Sequence, residues 1–123
     1  VCSSDLYGKV THSFADYGSL GQVLTFGLNR HLQQNHIPLK IDDCVKGRIL
    51  DRIELDCQLF GQNKRYILRK CTGLIEAYTQ ALWSDKGEDE RLDDNTTDID
   101  SLDANEYSYF SFYDKLTTNI KMR

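Results

Sequence analysis

Apolar and polar positions along the chain change period several times, and the changes mark out a mixed order of elements. Lys9 to Ala15 suits a short strand, which Asp16-Tyr17-Gly18-Ser19 breaks with turn formers, Ser19 being placed to cap a helix. Leu20, Val23, Leu24, Gly27, Leu28 and Leu32 then recur at helical spacing as far as Asn35, and Pro38 bars further helix. Leu39 and Ile41 alternate with Lys40 and Asp42 in a second strand. Past a turn at Gly47, Ile49, Ile53, Cys57 and Phe60 mark the inward stripe of a second helix that ends near Gly61. Arg65 to Arg69 reads as a third strand, and a third helix from near Thr72 is striped by Leu74, Ala77, Tyr78, Ala81 and Leu82. Ser84 to Thr97 is a loop or exposed hairpin, with Asn95 suited to its turn, and Leu102, Tyr109, Tyr113 and Leu116 share one face of a last helix. Strands alternating with helices predict an α/β sheet with helices packed against it.

A chain of 123 residues, 40% hydrophobic, fits one small domain. No stretch approaches the ~18 to 20 apolar residues that span a bilayer, so no membrane partner is expected. The formal charge of -4 hides a separation: residues 84–106 hold 10 of the 19 acids and two bases, leaving nine acids against thirteen bases elsewhere. Carboxylates gathered beside a basic body point to a cation site and a polyanion site on one chain.

Val1-Cys2-Ser3-Ser4-Asp5-Leu6 lacks the basic and apolar regions of a signal peptide and resembles the translated end of a sequencing-library adapter. On that reading residues 1–6 are a scar, and residues 7–123 are the C-terminal piece of a longer protein. Cys44, Cys57 and Cys71 then remain, an odd number with no C-x-x-C pair, which argues against zinc and predicts three buried free thiols.

Three acids stand out as candidate chemistry. Asp16 directly follows the first strand, and Asp100 and Asp103 stand at i, i+3 on one face of the last helix near its start. Converging, they would offer the hard oxygen ligands that Mg²⁺ or Mn²⁺ requires; taken singly, Asp16 is also an ordinary turn residue, Asp100 an N-cap and Asp103 a solvated first-turn acid. An EF-hand starting at Asp93 fails, because Asp98 falls where glycine is needed and Ala104 where the bidentate glutamate is needed. Lys46, Arg48, Arg52, Lys64, Arg65, Arg69 and Lys70 form a candidate phosphate-binding surface, against only Asp51, Glu54 and Asp56, or else a solubilising face. His12, His31 and His36 have no common spacing and read as structural or exposed. Tyr107, Tyr109, Phe110, Phe112 and Tyr113 read as core, Phe112 being the expected exception. No G-x-x-x-x-G-K-[ST] or G-x-G-x-x-G phosphate cradle is present.

The stretch Arg91-Leu92-Asp93-Asp94-Asn95-Thr96-Thr97-Asp98-Ile99-Asp100-Ser101-Leu102-Asp103-Ala104-Asn105-Glu106-Tyr107-Ser108 resembles the C-terminal signature of large terminase subunits from tailed bacteriophages. Phe14-Ala15-Asp16, Lys46-Gly47 and Ala81-Leu82-Trp83 fall in the matching order, so the resemblance covers about residues 7 to 116. It implies a ribonuclease H-like mixed sheet flanked by helices and missing its first strands, part of a nuclease that cleaves concatemeric double-stranded phage DNA during packaging. It implies Asp16 and Asp103 as catalytic metal ligands and Asp100 as a further ligand where many relatives carry histidine; Lys46, Arg48 and Arg52 of the basic surface are the residues expected against DNA. Two Mg²⁺ or Mn²⁺ ions are the implied cofactors, with ATP used only by a motor domain preceding this piece. Portal protein and small terminase subunit are the implied partners, in the bacterial host cytoplasm. A carboxylate from the first strand should precede residue 7, so the piece alone is expected to be inactive or nearly so. Another ribonuclease H-like enzyme, a resolvase or transposase, would share the acids, and a non-catalytic module of the packaging apparatus would carry them merely solvated.

Overall fold

The computed structural model describes residues 10–18 and 20–118, and the proposed scar and the Ser19 cap lie outside them. The chain is mixed α/β, and its residues divide into two compact units, Val1–Val45 and Lys46–Arg123, where the composition alone suggested one domain.

The first unit is a parallel strand-helix-strand: β1 (Ser13–Ala15), α1 (Gly21–Gln34) and β2 (Ile41–Asp43). Ser13 pairs with Ile41, Phe14 with Asp42 and Ala15 with Asp43, and the Cys44 amide donates to the Ala15 carbonyl at 2.9 Å. Helix α1 ends where His36 takes a φ of 55°: the Ile37 amide reaches back to the Leu32 carbonyl at 2.9 Å and that of His36 to Gln33 at 3.1 Å. This six-to-one closure satisfies carbonyls that would otherwise be orphaned and sets Pro38 beyond the helix. Helix and sheet meet through Asn29, whose Oδ1 accepts from the Ile41 amide at 2.7 Å while its Nδ2 donates to the Ile41 carbonyl at 2.8 Å. The side-chain amide thus stands in for one residue of a neighbouring strand.

The apolar stripe predicted for this helix does not face inward. Val23, Leu24 and Leu28, together with Leu20 and Phe26, are more than half exposed, and Thr25 is the buried residue of α1. Two strands of three residues offer too little sheet to cover a four-turn helix, so the polar Thr25–Asn29 side takes the contact with β2.

The second unit is helical: α2 (Ile49–Gly61), α3 (Thr72–Gln80), α4 (Ile99–Phe110) and α5 (Tyr113–Thr118). Helix α2 ends at the predicted place, but through Asn63 at φ 53°, with Lys64 donating to Leu59 at 2.9 Å. Its buried face is Arg52, Leu55, Asp56 and Leu59, one step round from the predicted stripe. Leu55, Leu59 and Phe110 form one core cluster, with Tyr109 and Leu116 packed against it, and Ala77, Leu102 and Tyr107 are buried as well. The predicted last helix is broken at Ser111-Phe112, and among Tyr107, Tyr109, Phe110, Phe112 and Tyr113 it is Tyr113, not Phe112, that is exposed. Arg65 to Arg69 is not a strand: Arg65 is drawn onto Asp56, Asn105 and the Tyr109 ring instead. Cys44 alone among the three thiols is buried; Cys57 is exposed and Cys71 half-buried.

Gly47 takes the predicted turn at φ 58°, where a side chain is strained, and a Cβ there would overlap the Phe110 ring at Cε1 and lie 2.6 Å from Cζ. Between α3 and α4 the acidic stretch doubles back as expected. Trp83 and Arg91 form an antiparallel bridge, Ser84 donates to Glu90 and Leu92 to Leu82, both at 2.8 Å, and Asn95 turns at φ 65°.

Candidate functional site

Asp16 is the first residue after β1 and is exposed. Its Oδ1 accepts from the Gly18 amide at 2.9 Å, folding the carboxylate over the turn that leads into α1. Gly21 is pressed against the same segment: a Cβ there would collide with the Asp16 carbonyl, so only glycine lets the helix start this close. In parallel sheets the carboxyl end of a strand is where ligand-binding side chains gather.

The other acids belong to the second unit. Asp98 caps α4, its Oδ1 accepting from the Ser101 amide at 3.1 Å and its Oδ2 from the Ser101 hydroxyl at 2.6 Å. Those bonds hold Asp98 below the usual carboxylate range. Asp100, expected to cap or to bind, sits exposed in the first turn. Asp103 is one turn on and is built into a cluster. Its Oδ1 accepts from Arg91 Nη1 at 2.9 Å and from Arg52 Nη1 at 3.2 Å. Arg91 also bonds Glu106 bidentately, Nη1 to Oε2 at 3.0 Å and Nη2 to Oε1, and Arg52 Nη1 lies 3.2 Å from Glu106 Oε2. Glu106 is fully buried, both arginines nearly so, and the Asp103 side chain keeps 29% exposure. Burial works against charge on Arg91, but the bonds and charges of Glu106 and Asp103 outweigh it and raise its pKa.

The basic candidates separate. Arg52 is 3% exposed and its guanidinium lies 5.1 Å from the Tyr107 ring centre. This corrects its assignment to the DNA surface, because two carboxylates have drawn it inside. Arg48 is exposed and bonds Asp51 through Nε at 3.1 Å and Nη2 at 2.8 Å, which raises its pKa. Lys46 is half-buried. Arg65 belongs to a second buried group, its Nε 3.1 Å from Asp56 Oδ1 and its Nη2 donating to Asn105 at 2.7 Å, while Tyr78 donates to Asp56. Burial, then the hydrogen bond to Asp56, pushes the Tyr78 hydroxyl far up, and burial beside the Asp56 charge does the same to that of Tyr109. At the start of α2, Asp89 accepts from the Ile49 and Leu50 amides at 2.9 and 2.8 Å, capping the helix from 40 residues away.

Arg91, Glu106 and Asp89 were not singled out by their sequence positions. The signal for the first two was present: Asp103 and Glu106 repeat at i, i+3, and Arg91 opens the same quoted stretch. Among the described residues no three His, Cys, Asp or Glu side chains gather as a metal-binding group. Asp16 and Asp103 still fit a hard divalent cation by donor type, each a carboxylate with exposed surface. His12, His31 and His36 are exposed. No helix among the described residues is long and apolar enough to cross a membrane.

Comparison with known proteins found no matching family model, no matching curated protein and no matching solved structure.

Proposed function

We propose that this chain is part of the ribonuclease H-like nuclease of a phage DNA-packaging terminase, a metal-dependent endonuclease for concatemeric double-stranded DNA. The observation that carries the reading is Asp103: the acid that the signature singles out is held by two arginines through one oxygen and keeps part of its surface in solvent. Asp16, at the carboxyl end of a parallel strand, supports it from the first unit. Asp16 in the first unit, and Asp103 in the second with Asp100 one turn before it, would each offer carboxylate oxygens to a divalent ion. Bound there, Mg²⁺ or Mn²⁺ would activate water and stabilise the leaving oxygen of a phosphodiester. Arg48 meets backbone phosphate by exchanging its exposed Asp51 pair, which is worth little in water, for a phosphate oxygen, and Lys46 adds charge beside it. Arg52 has no part in that contact.

The test uses the complete protein, with Asp16→Asn and Asp103→Asn made separately and supercoiled plasmid as substrate in Mn²⁺. Each variant should lose cleavage while ATP hydrolysis by the motor persists; cleavage retained in both removes the assignment. The present chain alone should nick plasmid little, and efficient chelator-sensitive nicking contradicts that. The neutral Arg52–Arg91–Asp103–Glu106 cluster also suits a non-catalytic module, for which Mn²⁺ would leave thermal stability unchanged.

A further inference from the structure

We propose that Arg91 is a positioning residue for Asp103, an inference that rests on the reading above for the cation Asp103 would hold. Arg91 is 6% exposed, and its backbone is fixed by the bridge to Trp83 and by the Leu92 to Leu82 hydrogen bond beside it. Both oxygens of fully buried Glu106 grip its two Nη atoms, which sets the plane of the guanidinium. From that fixed plane Nη1 reaches Asp103 Oδ1 at 2.9 Å, and Arg52, backed by the Tyr107 ring, bonds the same oxygen at 3.2 Å. Neither arginine bonds Oδ2. A carboxylate pinned through one oxygen and offering the other is oriented for one metal bond, the usual work of groups behind a ligand.

The charges sharpen this. Two arginines and two carboxylates cancel, so the cluster has no net charge with which to draw a cation. Removing Arg91 makes it more negative, which by Coulomb attraction alone would tighten Mn²⁺ binding. A positioning role demands the opposite. Lysine at this place keeps the charge but has one nitrogen, so it cannot grip both Glu106 oxygens and also reach Asp103 as the fork does.

The experiment takes the whole chain, isotope-labelled, as wild type, Arg91→Lys and Arg91→Met, with Asp103→Asn for background. Scalar couplings give the Asp103 side-chain rotamer populations, and Mn²⁺ line broadening of the Asp103 amide gives site occupancy. Wild type should show one Asp103 rotamer. Arg91→Lys should average it while the amide shifts of residues 99–110 persist, and should raise the Mn²⁺ concentration for half-broadening about 10- to 100-fold. A single rotamer retained in Arg91→Lys, or Mn²⁺ binding that tightens in Arg91→Met, overturns the inference. If Arg91→Met does not fold, Arg91→Lys decides alone. The two claims fail separately: averaged rotamers in wild type sink the positioning role, whereas one rotamer with no Asp103-dependent broadening in wild type sinks the cation reading.

Discussion

Replacing Arg91 by methionine keeps an unbranched apolar stem of similar reach but deletes two charged bonds to Glu106 and one to Asp103. Glu106, with no solvent exposure, is left with Arg52 at 3.2 Å. Removing one partner of a buried ion pair costs about 3–5 kcal/mol, a large part of the ~5–15 kcal/mol that a small domain has. At roughly 4–8 °C per kcal/mol for a unit of this size, the thermal midpoint should fall by more than about 10 °C. The loss should also depend on pH. Burial pushes the Glu106 carboxyl up from its usual value, while the Arg91 hydrogen bond and charge, then the Arg52 charge, hold it down. The variant releases the first two restraints, so the folded-state pKa rises further above that of the unfolded chain, about 4.3. A group shifted this way contributes stability below its unfolded pKa and loses it as pH rises through the folded value. The deficit against wild type should therefore be widest near pH 7 and narrower near pH 4. Urea unfolding followed by circular dichroism at both pH values measures it. A loss under about 1 kcal/mol at pH 7, the worth of an exposed pair, or an equal deficit at both, refutes the reasoning.

Gly47→Ala should cost about 1–3 kcal/mol through overlap with Phe110 and the positive φ, and less in a Phe110→Leu background; strictly additive losses in urea melts would show that the ring is not the obstacle. Asp89→Ala should speed hydrogen exchange at the Leu50 and Ile49 amides. The Leu50 hydrogen bond, opposed by burial and joined by that of Ile49, holds Asp89 below its usual range, so its contribution is present above the unfolded pKa and fades as pH falls through the folded one. Exchange equal to wild type at pH 7 would mean that the cap does nothing. Asn29→Leu removes both bonds to Ile41 and should cost about 1–3 kcal/mol by leaving those backbone groups unmatched. Proteolytic cutting near Ile41–Asp43 should quicken, and an unchanged cutting rate speaks against the strand-edge role.

Local signals carried far along this chain. The end of α2 at Gly61, the start of α3 at Thr72 and the turn at Asn95 were legible because capping, turn and breaker residues act on their immediate neighbours. The inward faces were less legible. On α2, counting apolar residues selects Ile49, Ile53 and Cys57, yet Arg52 and Asp56 go inside with Leu55 and Leu59. Burying a charge becomes tolerable only when a partner is waiting, and the partners here are 51 residues away at Asp103 and nine away at Arg65. No window of helical length contains the first pairing.

The α1 stripe failed for the complementary reason. Periodicity states which side of a helix is apolar, but how much sheet lies beneath it depends on strands elsewhere, and β1 and β2 supply three residues each. By itself, then, the sequence determined where elements begin and end, which stretches are acidic or basic, and which acids deserve attention. Tertiary structure alone decided that Arg52 turns inward, that Arg91 and Glu106 grip each other around Asp103, and that Asp89 caps a helix 40 residues back. Caps and breakers are short-range preferences written in adjacent residues, whereas desolvating a charge is settled only by what the folded chain brings within hydrogen-bonding distance.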